Sequence, residues 1–185
     1  MDHRHGDVLT GVGATGVPWP TEALWREIGD AFNSSLSRNT RGMTEARRYA
    51  ASITHQYDLL ADRFDDLAVL SCETCREPCC RHAKVWLDFT DLLYIHLMRV
   101  YRPPSQLRRN LYETCRFLGP RGCRLPRQSR PWICTWYICP TQRQILEGQI
   151  PAGMRQVSAV FARVKRLRKA MEHAFVAALG FSVPN

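Results

Sequence analysis

Segment 71–82 reads SCETCREPCCRH and carries the first four of the eight cysteines in the chain. The full set is Cys72, Cys75, Cys79, Cys80, Cys115, Cys123, Cys134 and Cys139. A Cys-x2-Cys step lets two sulfurs meet at one ion across a tight turn, which is why this spacing recurs in zinc and iron–sulfur sites. We predict that these eight cysteines ligate metal within a cysteine-rich region spanning 71–140.

The number of metal ions stays open at this point. Eight thiols suit two four-sulfur sites, a binuclear cluster with shared thiolates, or one iron–sulfur cluster beside a second site. Neighbouring residues such as Cys79 and Cys80 usually point to different sides of the chain, so they need not serve the same ion. The sequence therefore does not assign either of these two cysteines to a particular site.

Disulfide bonds are the alternative use of eight cysteines, and they require an oxidising compartment. Residues 1–20 contain charge, histidine and glycine but no apolar stretch of signal-peptide length. No segment approaches the roughly 20 apolar residues that cross a bilayer. We therefore expect a cytoplasmic protein that binds metal and has no membrane partner.

Composition indicates one sizeable core within the 185 residues. The hydrophobic fraction is 45% and the charged fraction 23%, both ordinary for a globular chain. The net charge is +9, which makes nucleic acid a candidate partner. Eight thiolates around two divalent ions would leave a net charge of about −4, however, because each ligand must lose its proton. We favour this neutralising role for the arginines near the cysteines, which are Arg76, Arg81, Arg116, Arg121, Arg124 and Arg130.

Apolar periodicity predicts a mainly α protein with little β structure, in which helices flank the irregular cysteine-rich segment. Residues 1–18 are predicted to form a flexible tail, and 19–185 a single helical domain. The predicted helices are one from the N-cap Thr21 to about Leu36, a long one from Met43 to Leu70, one capped by Thr90 and reaching Tyr101, a turn or two from Ser105 to Leu111, and a last one from Pro151 to Leu179. A tight turn is predicted at 119–122, and an irregular stretch at 130–140.

The last predicted helix has an apolar face and a basic face. Gly180 is its expected C-terminal cap. The basic face carries Arg163, Lys165, Arg166, Arg168 and Lys169. Such a face can lie on RNA or a membrane, but it is more often the solvated side of a core helix. His82 and His96, the histidines nearest the cysteines, are interpreted as ordinary partly buried side chains.

Three cysteine motifs carry a resemblance to a known family: CETCREPCC, CRFLGPRGC and SRPWICTWYIC. Over residues 71–140 the chain resembles the CxxCxxCC zinc- or iron-chelating domain family, also called YkgJ-type cysteine cluster proteins. The matching positions after the first motif are Cys115, Phe117, Leu118, Gly122, Cys123, Arg130, Pro131, Cys134 and Cys139. The family has two residues before its paired cysteines, whereas three, 76–78, precede them here.

The resemblance implies chelation of zinc or of an iron–sulfur cluster, with the metal undecided. Flagellin lysine methylases carry a similar cysteine region, so support of redox or modification chemistry stays open. We identify no catalytic residue from the sequence. The alternative is a zinc-stabilised interaction module whose arginine-rich surface binds a protein partner or, less favoured, nucleic acid.

Overall fold

A computed structural model of the protein describes residues 16–73, 75–149 and 153–181. These residues form seven α-helices: α1 (Glu22–Arg38), α2 (Thr44–Asp58), α3 (Ala61–Cys72), α4 (Phe89–Met98), α5 (Trp132–Trp136), α6 (Pro140–Gln149) and α7 (Gly153–Ala178). Two short strands, β1 (Leu118–Gly119) and β2 (Gly122–Cys123), pair as an antiparallel hairpin. Single 3₁₀ turns occupy Cys79–Arg81 and Arg127–Ser129. The predicted mainly α architecture with little β structure is confirmed.

Helix α1 begins where the sequence predicts. The Thr21 side chain accepts a hydrogen bond from the Leu24 N–H at 3.3 Å, which satisfies one unpaired donor of the first turn. Ile28 and Phe32 point into the core from this helix. The described part of the predicted N-terminal tail contains Val17, which is fully buried. Residues 1–15 lie outside the described part of the chain.

The single long helix predicted over 43–70 is wrong, because the chain bends between α2 and α3. The Leu60 N–H bonds to the Tyr57 carbonyl three residues back, and the next helix starts from the Leu60 carbonyl. Ile53 and Tyr57 face the main core, whereas Phe64 faces a second, smaller cluster around Val157. The apolar period runs through both helices, so the pattern alone does not reveal the change of direction.

Helix α4 is capped by Asp88, and the prediction that Thr90 is its cap is wrong. Asp88 accepts from the Asp91 N–H at 2.7 Å while Asp91 accepts from the Asp88 N–H at 3.1 Å, a reciprocal capping box. The helix ends at Met98, before the predicted Tyr101, because Arg99 adopts a left-handed conformation with φ of 53°.

The helical turns predicted over 105–111 are also wrong, since none of these residues is helical. The buried Gln106 side chain instead links extended segments. Its Oε1 accepts from the Leu87 N–H at 2.8 Å, and its Nε2 donates to the carbonyls of Leu87 and Pro18 at 3.0 and 3.1 Å. The Gln106 side chain thus satisfies buried backbone groups of these extended segments.

The core lies mainly between α2 and α7, whose contact is the most extensive in the fold. Ala50 and Ile53 of α2 face Val164 and Met171 of α7, and all four are fully buried. Pro151, the predicted start of the last helix, lies outside the described residues. Its end is confirmed at Gly180, where φ is +82°. No helix in the described part of the chain is long and apolar enough to span a bilayer.

The prediction that Arg168 belongs to the solvated basic face of α7 is wrong. Its side chain is 9% exposed and forms ion pairs with Asp91 at 2.7 Å and with Asp88 at 3.1 Å. Asp91 is itself 4% exposed. A carboxylate at that depth requires a cation beside it, which explains why this one arginine turns inward.

Candidate metal centre

The first four cysteines lie where α3 ends and the chain turns back. Cys72 is the last residue of α3, and the Cys75 N–H bonds to its carbonyl at 3.4 Å. Cys79 and Cys80 open the short 3₁₀ turn after Pro78, whose extended backbone sets the direction of the turn. The Arg81 and His82 N–H groups bond to the Pro78 and Cys79 carbonyls at 2.9 and 3.1 Å and close this turn.

Of the last four cysteines, two lie in a strand or helix, and Cys115 and Cys139 lie in connecting segments. The Cys115 N–H bonds to the Cys80 carbonyl at 3.1 Å, and Cys123 belongs to strand β2. Gly122 holds the hairpin close to the end of α3, since a Cβ placed there would lie 3.3 Å from the Cys72 Cβ. The positions of Cys134 and Cys139 are set by α5 and α6, neither of which the sequence predicted.

Electrostatic interactions link the thiols into two overlapping groups, which we define as two sets. The pKa of Cys72 responds to the charges of Cys79, Cys139 and Cys75, and we call these four the first thiol set. The charges of Cys115 and Cys123 raise the pKa values of both Cys80 and Cys134, and these four form the second thiol set. Cys79 acts on Cys80 and Cys134 as well, so it lies between the two sets.

The adjacent thiols of Cys79 and Cys80 interact most strongly. A hydrogen bond from Cys80 is the main cause that lowers the pKa of Cys79 to about 6, despite partial burial. The same bond, together with burial, raises the pKa of Cys80. Burial is the leading cause that raises the pKa values of Cys72, Cys115 and Cys134. Mutual repulsion adds to that effect, as expected where several thiolates share a small volume.

Trp132 anchors the helix that carries Cys134. Its ring stacks on Tyr57 at 6.3 Å between centroids and meets Phe161 edge-on at 5.7 Å. The Arg168 guanidinium lies 5.9 Å from the same ring. The Trp132 backbone N–H donates to Asp91 Oδ1 at 3.0 Å. The buried Asp91–Arg168 ion pair therefore also fixes the start of α5. The Cys134 position therefore depends on contacts with α2, α4 and α7.

A buried arginine beside the second thiol set has unsatisfied donors. Arg108 is 1% exposed, and its Nε and Nη2 atoms find no hydrogen-bond partner among the described residues. Its positive charge acts to lower the pKa of Cys115, against the larger effect of burial. A buried cation without a partner is costly, so this position favours an anionic group nearby.

The arginines named from the sequence make different contacts. Arg124 donates to the Arg116 carbonyl at 2.6 Å, and Arg130 donates to the Leu125 carbonyl at 3.0 Å. Arg116 pairs with Glu113 at 3.4 Å, while its Nη2 atom is buried without a partner in the described part of the chain. Sequence reasoning missed Arg108, which only its burial distinguishes from the other arginines.

The two histidines nearest the cysteines differ in environment. His82 follows the 3₁₀ turn and is exposed. His96 lies on α4, where its ring stacks on Phe32 at 5.0 Å and its Nδ1 lies 3.1 Å from Asn33 Oδ1. Burial and the charge of Arg102 lower the pKa of His96 to about 4. His96 therefore belongs to the packing between α1 and α4.

The donor chemistry of the cysteines fits a soft metal, because thiolates are the ligands of zinc and of iron–sulfur clusters. All eight cysteines have free thiols. Within the described ranges, no three or more His, Cys, Asp or Glu side chains stand in an arrangement that could hold a metal ion. Binding would thus require each set to draw closer around its ion.

A separate cavity of about 370 Å³ opens beside Trp132, between α4 and α7. Its charged lining consists of three cations, Lys165, Arg168 and Lys169, and two carboxylates, Asp88 and Glu172. The Glu172 carboxylate already accepts a 2.6 Å hydrogen bond from the Thr90 hydroxyl. These contacts do not assign a catalytic role to any lining residue.

Comparisons with known proteins give no match. No protein-family model, no curated protein and no solved structure matches it. Membership of the CxxCxxCC family therefore stays a prediction that depends on the cysteine motifs.

Proposed function

We propose that the protein is a metal-binding cysteine-cluster protein that chelates zinc or an iron–sulfur cluster. The first thiol set (Cys72, Cys75, Cys79 and Cys139) and the second (Cys80, Cys115, Cys123 and Cys134) would each supply up to four thiolates. Four convergent thiolates are the ligand number of both a structural zinc ion and an iron–sulfur cluster. A resident cluster would supply electron transfer, whereas zinc would supply structural order.

The observation that carries this proposal is the mutual electrostatic influence of thiols that are distant in sequence. Cys139 acts on Cys72, and Cys115 acts on both Cys80 and Cys134. Grouped thiols that repel one another as thiolates stay protonated unless a cation, such as a metal ion, lies between them. The unpartnered donors of Arg108 beside Cys115 agree with a centre that is anionic when the metal is bound.

Free thiols on half-exposed positions suit a reducing environment, where glutathione and thioredoxin keep cysteines reduced. We therefore propose the cytoplasm as the location. The resemblance to YkgJ-type proteins agrees with this function and leaves redox or modification chemistry as a further role of the bound metal.

One substitution in each set tests the ligand assignment. Cys75→Ser and Cys134→Ser should each lower the metal content per chain, because serine is a poor ligand for these soft metals. Inductively coupled plasma mass spectrometry on protein purified without oxygen measures the content. Tyr112→Ser is the control, since that side chain is 92% exposed. Full metal content in both cysteine variants would contradict the assignment.

A second candidate function is a zinc-stabilised interaction module. Exposed basic side chains on α7 favour it: Arg163, Lys165, Arg166 and Lys169 all face solvent. Binding of an acidic protein partner or nucleic acid to this face should weaken steeply as salt rises. Binding that is absent at low salt would exclude this role for the helix.

A further inference from the structure

Gln142 contacts both Cys72 and Cys139, the first and last cysteines of the first thiol set in sequence. It lies in the first turn of α6, while Cys72 lies at the end of α3. Its side-chain Nε2 donates to the Cys72 sulfur at 3.8 Å and to Ser71 Oγ at 3.2 Å. Its backbone N–H donates to the Cys139 sulfur at 3.5 Å. One residue therefore contacts two sulfurs that the chain brings together from distant positions.

Cys139 acts as the N-cap of α6, with sulfur in place of the usual hydroxyl oxygen. The helix begins at Pro140, a favoured first position, and the Arg143 N–H bonds to the Cys139 carbonyl at 2.9 Å. The Gln142 N–H bonds to the Cys139 sulfur, and Gln142 Oε1 accepts from the Cys139 N–H at 3.4 Å. This exchange is a capping box built on a cysteine.

The capping box fixes the orientation of the Gln142 amide. The Cys139 N–H can only donate, so the atom that faces it must be the amide oxygen. The NH2 group is then directed towards Ser71 and Cys72. The Cys72 sulfur therefore receives an N–H donor from Gln142.

We propose that Gln142 is a positioning residue of the first thiol set, which holds the Cys72 and Cys139 sulfurs in place for one metal ion. This inference rests on the proposed metal-binding function and deepens it. Outer partners that donate to metal ligands fix the orientation of those ligands.

Two substitutions separate positioning from helix capping. Gln142→Glu keeps the oxygen that accepts from the Cys139 N–H, and glutamate is a favoured residue at this capping position. It replaces the donor facing Cys72 with an acceptor of negative charge. Gln142→Met removes both polar atoms. Gln144→Glu is the matched control, because Gln144 is exposed on the same helix and its substitution makes the same change of charge.

The experiment loads the metal-free full chain with Co²⁺ and competes the ion away with a chelator, followed by the visible absorption of Co²⁺. Gln142→Glu and Gln142→Met should each weaken Co²⁺ binding about 10- to 100-fold at one site, as is typical for loss of an outer partner. Gln144→Glu should bind as the wild type does. Far-UV circular dichroism of the metal-free Gln142→Glu chain should match the wild type.

Three results would overturn the inference, and they differ in what they imply. Equal affinities for Gln142→Glu and Gln144→Glu would show that the donor to Cys72 has no role in metal binding. Weakened binding in Gln142→Met alone would assign Gln142 to helix capping. A wild-type chain that takes up no Co²⁺, zinc or iron would overturn the proposed function itself, and the inference with it.

Discussion

The Cys115 N–H donates to the Cys80 carbonyl at 3.1 Å and joins the two halves of the cysteine-rich region through the backbone. Together with the hairpin of β1 and β2, this bond does not depend on a metal. The main core likewise consists of apolar side chains of α1, α2, α4 and α7. A bound metal would therefore stabilise one region of a chain whose core is already formed.

The first prediction follows from a core that forms without metal. Removal of metal by a chelator under reducing conditions should leave most of the helical circular dichroism signal, because α2 and α7 make the most extensive contact in the fold and pack through apolar side chains. The melting temperature should fall, since a ligand bound only by the folded state stabilises it. A metal-free chain that loses most of its helix would contradict this prediction.

Arg108→Met should change metal binding and metal-free stability in opposite directions. The substitution removes two buried donors that have no partner in the described part of the chain, so the metal-free protein should be as stable as the wild type or more stable. Metal affinity should fall, because the Arg108 charge favours the Cys115 thiolate. Chelator competition and urea unfolding measure the two effects.

Arg109→Met is the control for that comparison, since Arg109 is the exposed neighbour and its loss removes the same charge. Equal metal affinity in the Arg108 and Arg109 variants would show that the buried guanidinium does not serve the thiols.

Arg168→Met should destabilise the fold by about 3–5 kcal/mol, because it leaves the buried Asp91 carboxylate without its cation. Burial raises the pKa of Asp91 to about 7 even with the Arg168 cation present. Loss of that cation would raise the pKa further. Urea unfolding at neutral pH measures the change. Arg166→Met, an exposed position on the same helix, should stay within about 0.5 kcal/mol of the wild type. Similar values for both variants would contradict the role of the ion pair.

His96 gives a prediction on pH. Its pKa is about 4 in the folded protein, mainly through burial, against an ordinary value of 6.5. The unfolded chain therefore takes up the proton first, and the stability that His96 contributes is complete above about pH 6.5 and lost as pH falls towards 4.

The difference in unfolding free energy between wild type and His96→Gln should accordingly shrink across this pH window. Urea titrations at several pH values measure it. A difference that is independent of pH would contradict the lowered pKa.

Much of the fold follows from local chemistry that is visible in the sequence. Thr21 at a helix start, Gly180 past a helix end and the turn at 119–122 each lie where their residue types predict. The break between α2 and α3 does not follow from the sequence. Apolar residues keep the same period on both sides of the break, although they face different clusters. Asp88, rather than Thr90, is the N-cap of α4 because Asp88 and Asp91 form a reciprocal capping box.

The candidate site was predictable as a set of residue types but not as an arrangement. The cysteine spacing names all eight thiols, yet their division into two sets depends on how the hairpin, α5 and α6 return to the end of α3. Arg168 and Arg108 look like surface cations in sequence, and only burial shows their roles. Gln142 does carry a signal, since Cys-Pro-x-Gln over 139–142 has the spacing of a capping box with sulfur as the acceptor.

The most direct test of the central claim is metal analysis with a visible spectrum, on protein purified without oxygen. Metal binding by the eight cysteines predicts bound metal in one of two forms. One is iron with acid-labile sulfide and a broad band at roughly 400 nm, and the other is one or two zinc ions in a colourless protein. Protein that contains neither metal, with eight reduced thiols, would contradict the account.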